Sequence, residues 1–317
     1  MEYGITLARD GVAEQPEPLK YLTDFARAAG QMGCAYGVIG DRLESGLDPF
    51  LLLTAIAEAS GRMRLVTSVV VLPPRGIVVA AKQYAALDVL TGGRVIAGVG
   101  TGSLFRDYEI VGLDHNDMWP RFEEGVRALR AYLTPDAQPF QGRFYTTAGV
   151  NVEPKPVQRP SLPIWIGSWG SNAGLRRVAR LADGWLSSAG PGHQSPEQFA
   201  EDVRRLNAFL VQAGKAPATF PNAVSTMALF ISEDKDELAR IGGPGYVPRP
   251  AGIGVVQPAG RPFEDAHAHD MLGTRAQCLD KVRRWNAAGA QALFLVLRGS
   301  DPLGQMRLFM HEVASQA

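Results

Sequence analysis

Short apolar runs alternate with longer amphipathic segments along most of the chain. In the longer segments, apolar residues recur at i, i+3, i+4 and i+7, which is the spacing of one helix face, while the short runs have the length of buried strands. The predicted strands are Tyr3–Ala8, Ala35–Ile39, Met63–Leu72, Arg94–Val99, the run from Ile164 into Gly167, Gly184–Ser188, Val224–Ile231 and Ala292–Leu297. A helix or a helix-bearing loop follows each strand. This order predicts a parallel sheet covered by helices.

Eight strands with intervening helices are what a (β/α)8 TIM barrel requires, and 317 residues is an ordinary length for that fold. We therefore predict an α/β fold, a single TIM-barrel domain over residues 1–317. A doubly wound open sheet is the alternative, but it usually has fewer strands. Residues 242–268 are rich in glycine and proline, and we expect a long loop or lid there.

Several helix starts carry local signals. Asp48 before Pro49 has the pattern of an N-cap followed by proline at the first helical position. Ser195 with Gln198, and Thr274 with Gln277, have the spacing of capping boxes. These signals predict where three helices begin.

Composition and charge exclude several kinds of partner. The 32 basic and 32 acidic residues balance without long runs of either sign, which argues against a nucleic acid or an anionic membrane as the main partner. No apolar run reaches membrane-spanning length and no signal peptide is visible, so we expect a soluble cytoplasmic protein. Cys34 and Cys278 lie in apolar helical patterns and are predicted to be buried free thiols. We predict no metal site, because His267 and His269 lie in a loop without further ligands nearby.

The segment from Ile164 to Trp185, IWIGSWGSNAGLRRVARLADGW, contains a strand, a turn of small residues and a helix start. A helix N-terminus leaves backbone N–H groups unpaired and carries partial positive charge. Small residues let an anion approach that backbone. The turn is therefore a candidate phosphate site, although an ordinary strand-to-helix turn has the same features.

In a TIM barrel, the loops that follow the strands form the active face. Polar residues at the predicted strand ends are thus candidates for the site. They are Asp41, Arg42, Thr67, Ser68, Arg75, Thr101, Ser103, Arg106, Ser168, Trp169 and Arg298. His115 and His193 lie in loops of the same face, where either could contact a substrate.

Three blocks of the chain resemble the luciferase-like monooxygenase family of flavin-dependent enzymes. They are AAKQYAALDVLTGGRVIAGVGTGS (Ala80–Ser103), RFEEGVRALRAYL (Arg121–Leu133) and the segment that begins at Ile164. Their order and spacing are those of the family, and the resemblance covers roughly residues 1–190. The family has a TIM barrel that binds FMN or its deazaflavin relative F420 at the carboxyl end of the strands. The resemblance therefore implies reduced FMN as the cofactor, with F420 as the alternative.

The resemblance also implies which loops bind the cofactor. The matching positions are Gly167, Ser168, Trp169, Gly170 and Ser171 in the phosphate-binding turn, Gly100, Thr101 and Gly102 in the loop that approaches the flavin, and Thr67, Ser68 and Val69 where many members have a non-prolyl cis peptide beneath the flavin ring. Arg75 ends a strand, and we expect it either to bind the flavin phosphate or to cap a turn.

The catalytic candidates are Asp41, Arg42 and His115. Asp41 and Arg42 lie where many family members have Asp-His or another polar pair near the reactive edge of the flavin. A histidine there can act as a general base, whereas an arginine stays charged and only donates hydrogen bonds. We therefore expect Arg42 to stabilise an anionic reduced flavin or an oxyanion rather than to transfer a proton.

The resemblance favours a two-component monooxygenase, in which a separate NAD(P)H:flavin reductase supplies reduced FMN and O2 oxidises a small organic substrate. An F420-dependent dehydrogenase or reductase is the first alternative, because both cofactors share the phosphate site. A flavin-binding protein without turnover is a second alternative. A phosphate-sugar barrel enzyme would need a Schiff-base lysine at a strand end, which no predicted strand supplies. The large apolar helix faces allow a homodimer.

Overall fold

The computed structural model of this chain describes residues 1–7, 12–44, 46–102, 104–188, 195–225, 228–242 and 270–317. Its strands are β1 (Glu2–Thr6), β2 (Tyr36–Ile39), β3 (Arg64–Thr67), β4 (Val70–Val71), β5 (Val95–Gly100), β6 (Ile164–Gly167), β7 (Gly184–Ser188), β8 (Asn222–Ser225), β9 (Leu229–Ile231), β10 (Met271–Gly273) and β11 (Ala292–Leu295). Parallel pairing runs in the order β3-β2-β1-β11-β8-β7-β6-β5, and β3 also pairs with β5. This last pairing closes an eight-stranded barrel, so the predicted (β/α)8 fold is confirmed.

Helices connect the strands and cover the outside of the barrel. They are Pro18–Gln31, Pro49–Ile56, Leu72–Arg75, Ile77–Leu90, Arg106–Glu109, Met118–Leu133, Asn172–Leu181, Pro196–Gln212, Lys235–Gly242, Arg275–Ala287 and Pro302–Leu308, with shorter turns at His115–Asp117, Pro217–Thr219, Phe309–Val313 and Ala314–Gln316. Among the described helices, none combines the length and the apolar content that crossing a bilayer would take.

The apolar residues form two main layers, because successive strand residues point to opposite faces of the barrel wall. The interior layer consists of Tyr36, Val38, Val66, Ile96, Trp165, Leu186, Ala223, Ala292 and Phe294. The larger layer packs the outer strand faces, such as Ile39 and Val99, against the helices. Both cysteines are buried free thiols, as predicted.

The predicted continuous strand Met63–Leu72 is wrong. Strand β3 ends at Thr67, and the chain continues as the two-residue β4 and the helical turn Leu72–Arg75. Pro73 and Pro74 suit the first turn of a helix and cannot donate to a strand ladder. The β4 residues still pair with the end of β5, so this detour stays at the carboxyl end of the barrel wall.

The predicted strand Val224–Ile231 is also wrong, because β8 ends at Ser225 and β9 belongs to a separate two-stranded sheet with β10. Strand β10 escaped prediction because three residues are too few to show a period. The predicted loop or lid begins at Gly242, where a helix ends, and residues 243–268 lie outside the described part of the chain. His193, His267 and His269 lie outside it too.

Two of the three predicted helix starts are confirmed in full. The Asp48 carboxylate accepts from the amides of Phe50 and Leu51, and Thr274 and Gln277 make both bonds of a capping box. At the third start, the Ser195 hydroxyl accepts from the Gln198 backbone amide at 3.3 Å, but the Gln198 side chain donates to Asp202 at 2.9 Å and does not accept from the Ser195 backbone amide. The reciprocal half of that predicted box is wrong, because the Gln198 side chain is oriented towards a buried carboxylate one turn further along the helix.

Candidate functional site

Four of the predicted segments meet at the carboxyl end of the barrel. Asp41 follows β2, the Ser68-Val69 pair follows β3, residues 100–102 end β5, and residues 167–171 end β6. His115 lies in the long connection after β5, where its ring centre is 4.9 Å from that of Phe105. Parallel strands deliver these segments to one face, which is where TIM-barrel sites form.

The side chain of Val69 lies between two glycines of neighbouring strands. The Ser68–Val69 peptide bond is cis, as the resemblance implied. A Cβ atom on Gly100 would lie 2.7 Å from Val69 Cγ2, and one on Gly167 would lie 2.9 Å from Val69 Cγ1. Both separations are well below the normal contact distance of carbon atoms, about 3.5–4.0 Å. The two glycines therefore make room for the Val69 side chain, and we call these three residues the Val69 cradle.

The turn after β6 adjoins this cradle, because Gly167 directly precedes it. The Ser168 backbone is fixed by its amide, which donates to the carbonyl of Leu186, and by its carbonyl, which accepts from the Trp185 indole, both at 2.9 Å. The Ser171 hydroxyl caps the following helix by accepting from the Gly174 amide at 3.1 Å. The other first amides of a helix have no intrahelical acceptor and are available to an anion.

The Ser168 hydroxyl faces the same helix start. A Cβ atom on Gly174 would come within 2.3 Å of Ser168 Oγ, so the small residue at 174 makes room for this hydroxyl. Trp169, the next residue, is 52% exposed at the barrel mouth. The turn thus combines small residues, a hydroxyl and helix-start amides beside the Val69 cradle, and these groups can bind an anion.

Asp41 and Arg75 form a buried ion pair on the opposite side of β5. The Arg75 guanidinium donates to both Asp41 oxygens, and its Nη1 donates to Asp48 Oδ2 at 2.6 Å. Burial lowers the pKa of Arg75, but its hydrogen bonds and charge interactions with the two carboxylates outweigh that effect and raise the pKa above its usual value. Of the two roles expected for Arg75, these contacts fit the structural one, in which it fixes a turn. A direct contact between Arg75 and a phosphate stays a prediction.

Asp107 is a buried carboxylate that the sequence did not identify. It is 1% exposed, and its Oδ2 has no hydrogen-bond partner within the described part of the chain. Burial raises its pKa, while the Arg42 charge and the Leu43 amide act in the opposite direction without cancelling the effect. Arg42 therefore lies close enough to influence a buried acid at this face. One acidic residue in a polar segment carries no sequence signal of such burial.

Thr67 uses its hydroxyl within the barrel wall. The hydroxyl is buried, lies 2.7 Å from the Tyr84 hydroxyl, donates to the Gly98 carbonyl at 2.8 Å and accepts from the Gly98 amide at 3.0 Å. Its side chain therefore ties β3 to β5 and faces the helix layer. If Thr67 contacts a cofactor as predicted, the contact has to come from its backbone.

Comparison with known proteins agrees with this geometry. Residues 1–292 match the luciferase-like monooxygenase family. A protein of uncharacterised function from Mycobacterium tuberculosis (strain ATCC 25618 / H37Rv) is 33% identical over 169 residues, which cover 53% of this chain and 56% of that protein. The match thus spans about half the length of that relative. The FMNH2-dependent dimethylsulfone monooxygenase of Pseudomonas putida is 25% identical over 315 residues, covering 89% of this chain and 83% of that one.

Solved structures share the fold. A monooxygenase from Streptomyces bottropensis superposes with a TM-score of 0.83 at 22% identity, covering 99% of each chain. An F420-dependent secondary alcohol dehydrogenase in complex with an F420-acetone adduct also gives 0.83, at 16% identity, covering 100% of this chain and 99% of that one. At such identities the likeness shows the barrel architecture, which both a monooxygenase and an F420-dependent enzyme have.

Proposed function

Because the chain belongs to the luciferase-like monooxygenase family, we propose that it is a flavin-dependent monooxygenase that receives reduced FMN from a separate NAD(P)H:flavin reductase and oxidises a small organic substrate. The observation that carries this proposal is the junction at Gly167. The Val69 methyl groups fill the space beside this glycine, and the helix-start turn begins at the next residue. In the proposal one ligand contacts both the apolar Val69 surface and the helix-start amides, which requires an apolar ring joined through a linker to an anionic group, as in FMN.

In this proposal the Ser168 hydroxyl, the Ser171 amide and the first amides of the following helix hold the cofactor phosphate, while the Ser168 amide stays bound to the Leu186 carbonyl. Val69 supports the ring from below, and Gly100 to Gly102 approach it from β5. When bound, reduced FMN supplies the electrons that reduce O2. The chain's own contribution is to hold the flavin and the substrate together and to keep water away from them.

Arg42 has the role of a fixed positive charge at the reacting face. Its neighbour Asp41 is anchored by Arg75 and by the Val71 amide, so the backbone that presents Arg42 is held in place. A guanidinium in that position stabilises an anion and does not take up a proton. We assign His115 to substrate contact, because its ring packs at the same face against Phe105 and Tyr108.

An F420-dependent dehydrogenase or reductase is the second candidate. The phosphate turn suits F420 as well as FMN, and the secondary alcohol dehydrogenase with bound F420 adduct shares the barrel at a TM-score of 0.83. That reaction would transfer hydride and would not consume oxygen.

Cofactor choice tests the proposal. Purified apoprotein is titrated anaerobically with FMN and with F420, each oxidised and reduced, and binding is followed by calorimetry. Preferential binding of reduced FMN supports the monooxygenase, and a flavin reductase with NADH should then drive substrate-dependent oxygen uptake. Preferential binding of F420 assigns hydride transfer instead. Binding of neither cofactor contradicts both candidates.

Ser168 provides a sharper variant for the same titration. Ser168→Asp should abolish binding of reduced FMN, because its carboxylate would repel the phosphate at the helix start. Ser168→Ala is the matched control, since it removes the hydroxyl without adding charge. Equal binding by the two variants would place the phosphate elsewhere.

A further inference from the structure

An arginine from the next helix holds the turn after β6 from outside. Arg205, in helix Pro196–Gln212, donates through Nη2 to the carbonyl oxygen of Gly170 at 2.8 Å and through Nη1 to Asn172 Oδ1 at 2.7 Å. Gly170 lies inside the turn with φ of 86°, and Asn172 is the first residue of the following helix. One guanidinium therefore bridges the turn and the helix start.

Arg205 is itself held by a buried carboxylate. Its Nη2 also pairs with Asp202, one helical turn earlier, and Asp202 is 1% exposed. The Gln198 side-chain amide donates to the same Asp202 oxygen at 2.9 Å, which explains why Gln198 leaves the predicted capping box. This series of contacts runs from the first turn of helix Pro196–Gln212 to the backbone of Gly170. Because Asp202 neutralises it, Arg205 exerts little long-range attraction on an anion.

The bond to Gly170 controls the direction of the next amide. The carbonyl of Gly170 and the N–H of Ser171 belong to one peptide group, and in a trans peptide they point in opposite directions. Holding the carbonyl on Arg205 therefore directs the Ser171 N–H away from the guanidinium. A charged donor on the carbonyl also polarises the peptide and strengthens the N–H as a donor.

We propose that Arg205 is a positioning residue for the cofactor phosphate. It fixes the Gly170–Ser171 peptide so that the Ser171 amide donates to the phosphate, and it does so without touching the phosphate itself. This inference rests on the proposed function, since it requires a phosphorylated cofactor at the turn.

The test compares binding of reduced FMN with binding of reduced riboflavin, which lacks the phosphate, by anaerobic calorimetry. The variants are Arg205→Met, which keeps the apolar stem, and Arg205→Lys, which keeps the positive charge on a single donor group. Arg204→Met is the matched control, because Arg204 is the neighbouring residue, its side chain is 74% exposed, and it pairs at the surface with Glu201.

We expect Arg205→Met to weaken FMN binding about tenfold, as for loss of one charge-assisted hydrogen bond. Riboflavin binding should change by less than about twofold, because no phosphate contact is involved. Arg205→Lys should recover part of the loss, and Arg204→Met should change neither affinity.

Equal weakening of FMN and riboflavin by Arg205→Met, or no weakening of either, would overturn the positioning role alone. A wild-type protein that binds FMN no more tightly than riboflavin would overturn the phosphate turn, and with it both the proposed function and this inference. Thermal unfolding of each variant verifies that the fold is retained.

Discussion

Arg75 holds Asp41 through two hydrogen bonds, Nε to Oδ2 at 2.9 Å and Nη2 to Oδ1 at 2.5 Å. The Asp41 side chain is fully buried and that of Arg75 is 11% exposed. Asp41 also accepts from the Val71 amide at 3.2 Å. The pair thus fastens the loop after β2 to the segment after β3, next to the predicted catalytic Arg42.

Removing Arg75 should therefore destabilise the protein strongly. Arg75→Met leaves the Asp41 carboxylate buried without a cation, and we expect the free energy of unfolding to fall by about 3–5 kcal/mol. Urea denaturation of the apoprotein measures this. Adding Asp41→Asn to Arg75→Met should recover part of the loss, because it removes the uncompensated charge.

The pair Arg106–Glu44 is the control for this prediction. It lies in connections of the same barrel face, but its side chains are 56% and 48% exposed. Arg106→Met should change the free energy of unfolding by less than about 1 kcal/mol. Similar losses for Arg75→Met and Arg106→Met would contradict the idea that burial makes the Arg75 pair important.

The contact of Val69 with two glycines gives a second prediction. Gly167→Ala would place a methyl group 2.9 Å from Val69 Cγ1. We expect a loss of about 1–3 kcal/mol in unfolding free energy, as for overpacking of a core, together with weaker binding of reduced FMN. Adding Val69→Ala should restore stability because it removes the clashing methyl groups.

Gly98→Ala is the control for this prediction, because adding Val69→Ala should not restore its stability. Its Cβ atom would come 1.7 Å from the carbonyl oxygen of Thr67, which is backbone and cannot rotate away. We expect little folded Gly98→Ala protein, with or without Val69→Ala, by size-exclusion chromatography. Full rescue of Gly98→Ala, or no rescue of Gly167→Ala, would show that Val69 is not what requires glycine at 167.

The barrel and the turn after β6 could be predicted from the sequence because both depend on local signals. Apolar periodicity marks strands and helices, and small residues before an amphipathic segment mark a helix start. The same signal predicted that the third strand continues to Leu72. The apolar run does continue that far, but the chain leaves the strand after Thr67. The local pattern thus identified which segments meet at the carboxyl end of the barrel, but it misplaced the end of one of them.

The contacts inside the site could not be predicted, because they join residues that no local pattern relates. Val69, Gly100 and Gly167 come from the ends of three strands, and their proximity depends on the strand register. Asp107 is buried at a point where the loop after β2 reaches it, since the Leu43 amide bonds to its carboxylate. From the sequence alone, Arg205 is indistinguishable from a solvent-facing helix residue. Its bond to Gly170 depends on how two helices pack, which no local pattern indicates.

Thr67 gives a third prediction, which separates structural support from cofactor contact. Thr67→Val keeps the shape but leaves the buried Tyr84 hydroxyl without its partner at 2.7 Å. We expect a loss of about 1–3 kcal/mol in unfolding free energy and no more than a small change in the affinity for reduced FMN. Tyr84→Phe with Thr67→Val should cost less than the sum of the single variants. A large loss of FMN affinity in Thr67→Val, with normal stability, would instead show that the hydroxyl serves the cofactor.

Lys281 gives a prediction about pH. Its Nζ donates to the carbonyl oxygens of Asp270 at 2.7 Å and Leu272 at 3.0 Å, and burial lowers its pKa from 10.5 to about 8. Between these two values the unfolded chain binds a proton that the folded protein has released. The contribution of Lys281 to stability therefore rises as the pH increases through this window.

Comparison with Lys281→Met isolates this effect, because the other titrating groups are common to both proteins. The free energy of unfolding of the wild type minus that of the variant should rise by about 3 kcal/mol between pH 7 and pH 10.5. A neutral amine keeps two N–H donors, enough for both carbonyls, so deprotonation removes the cost of a buried charge without removing the bonds. Urea denaturation at a series of pH values measures the difference. A difference that stays flat would show that Lys281 titrates at its normal pKa, because the carbonyls around it solvate its charge as well as water does. A difference that falls would show a raised pKa, and either result would contradict the prediction.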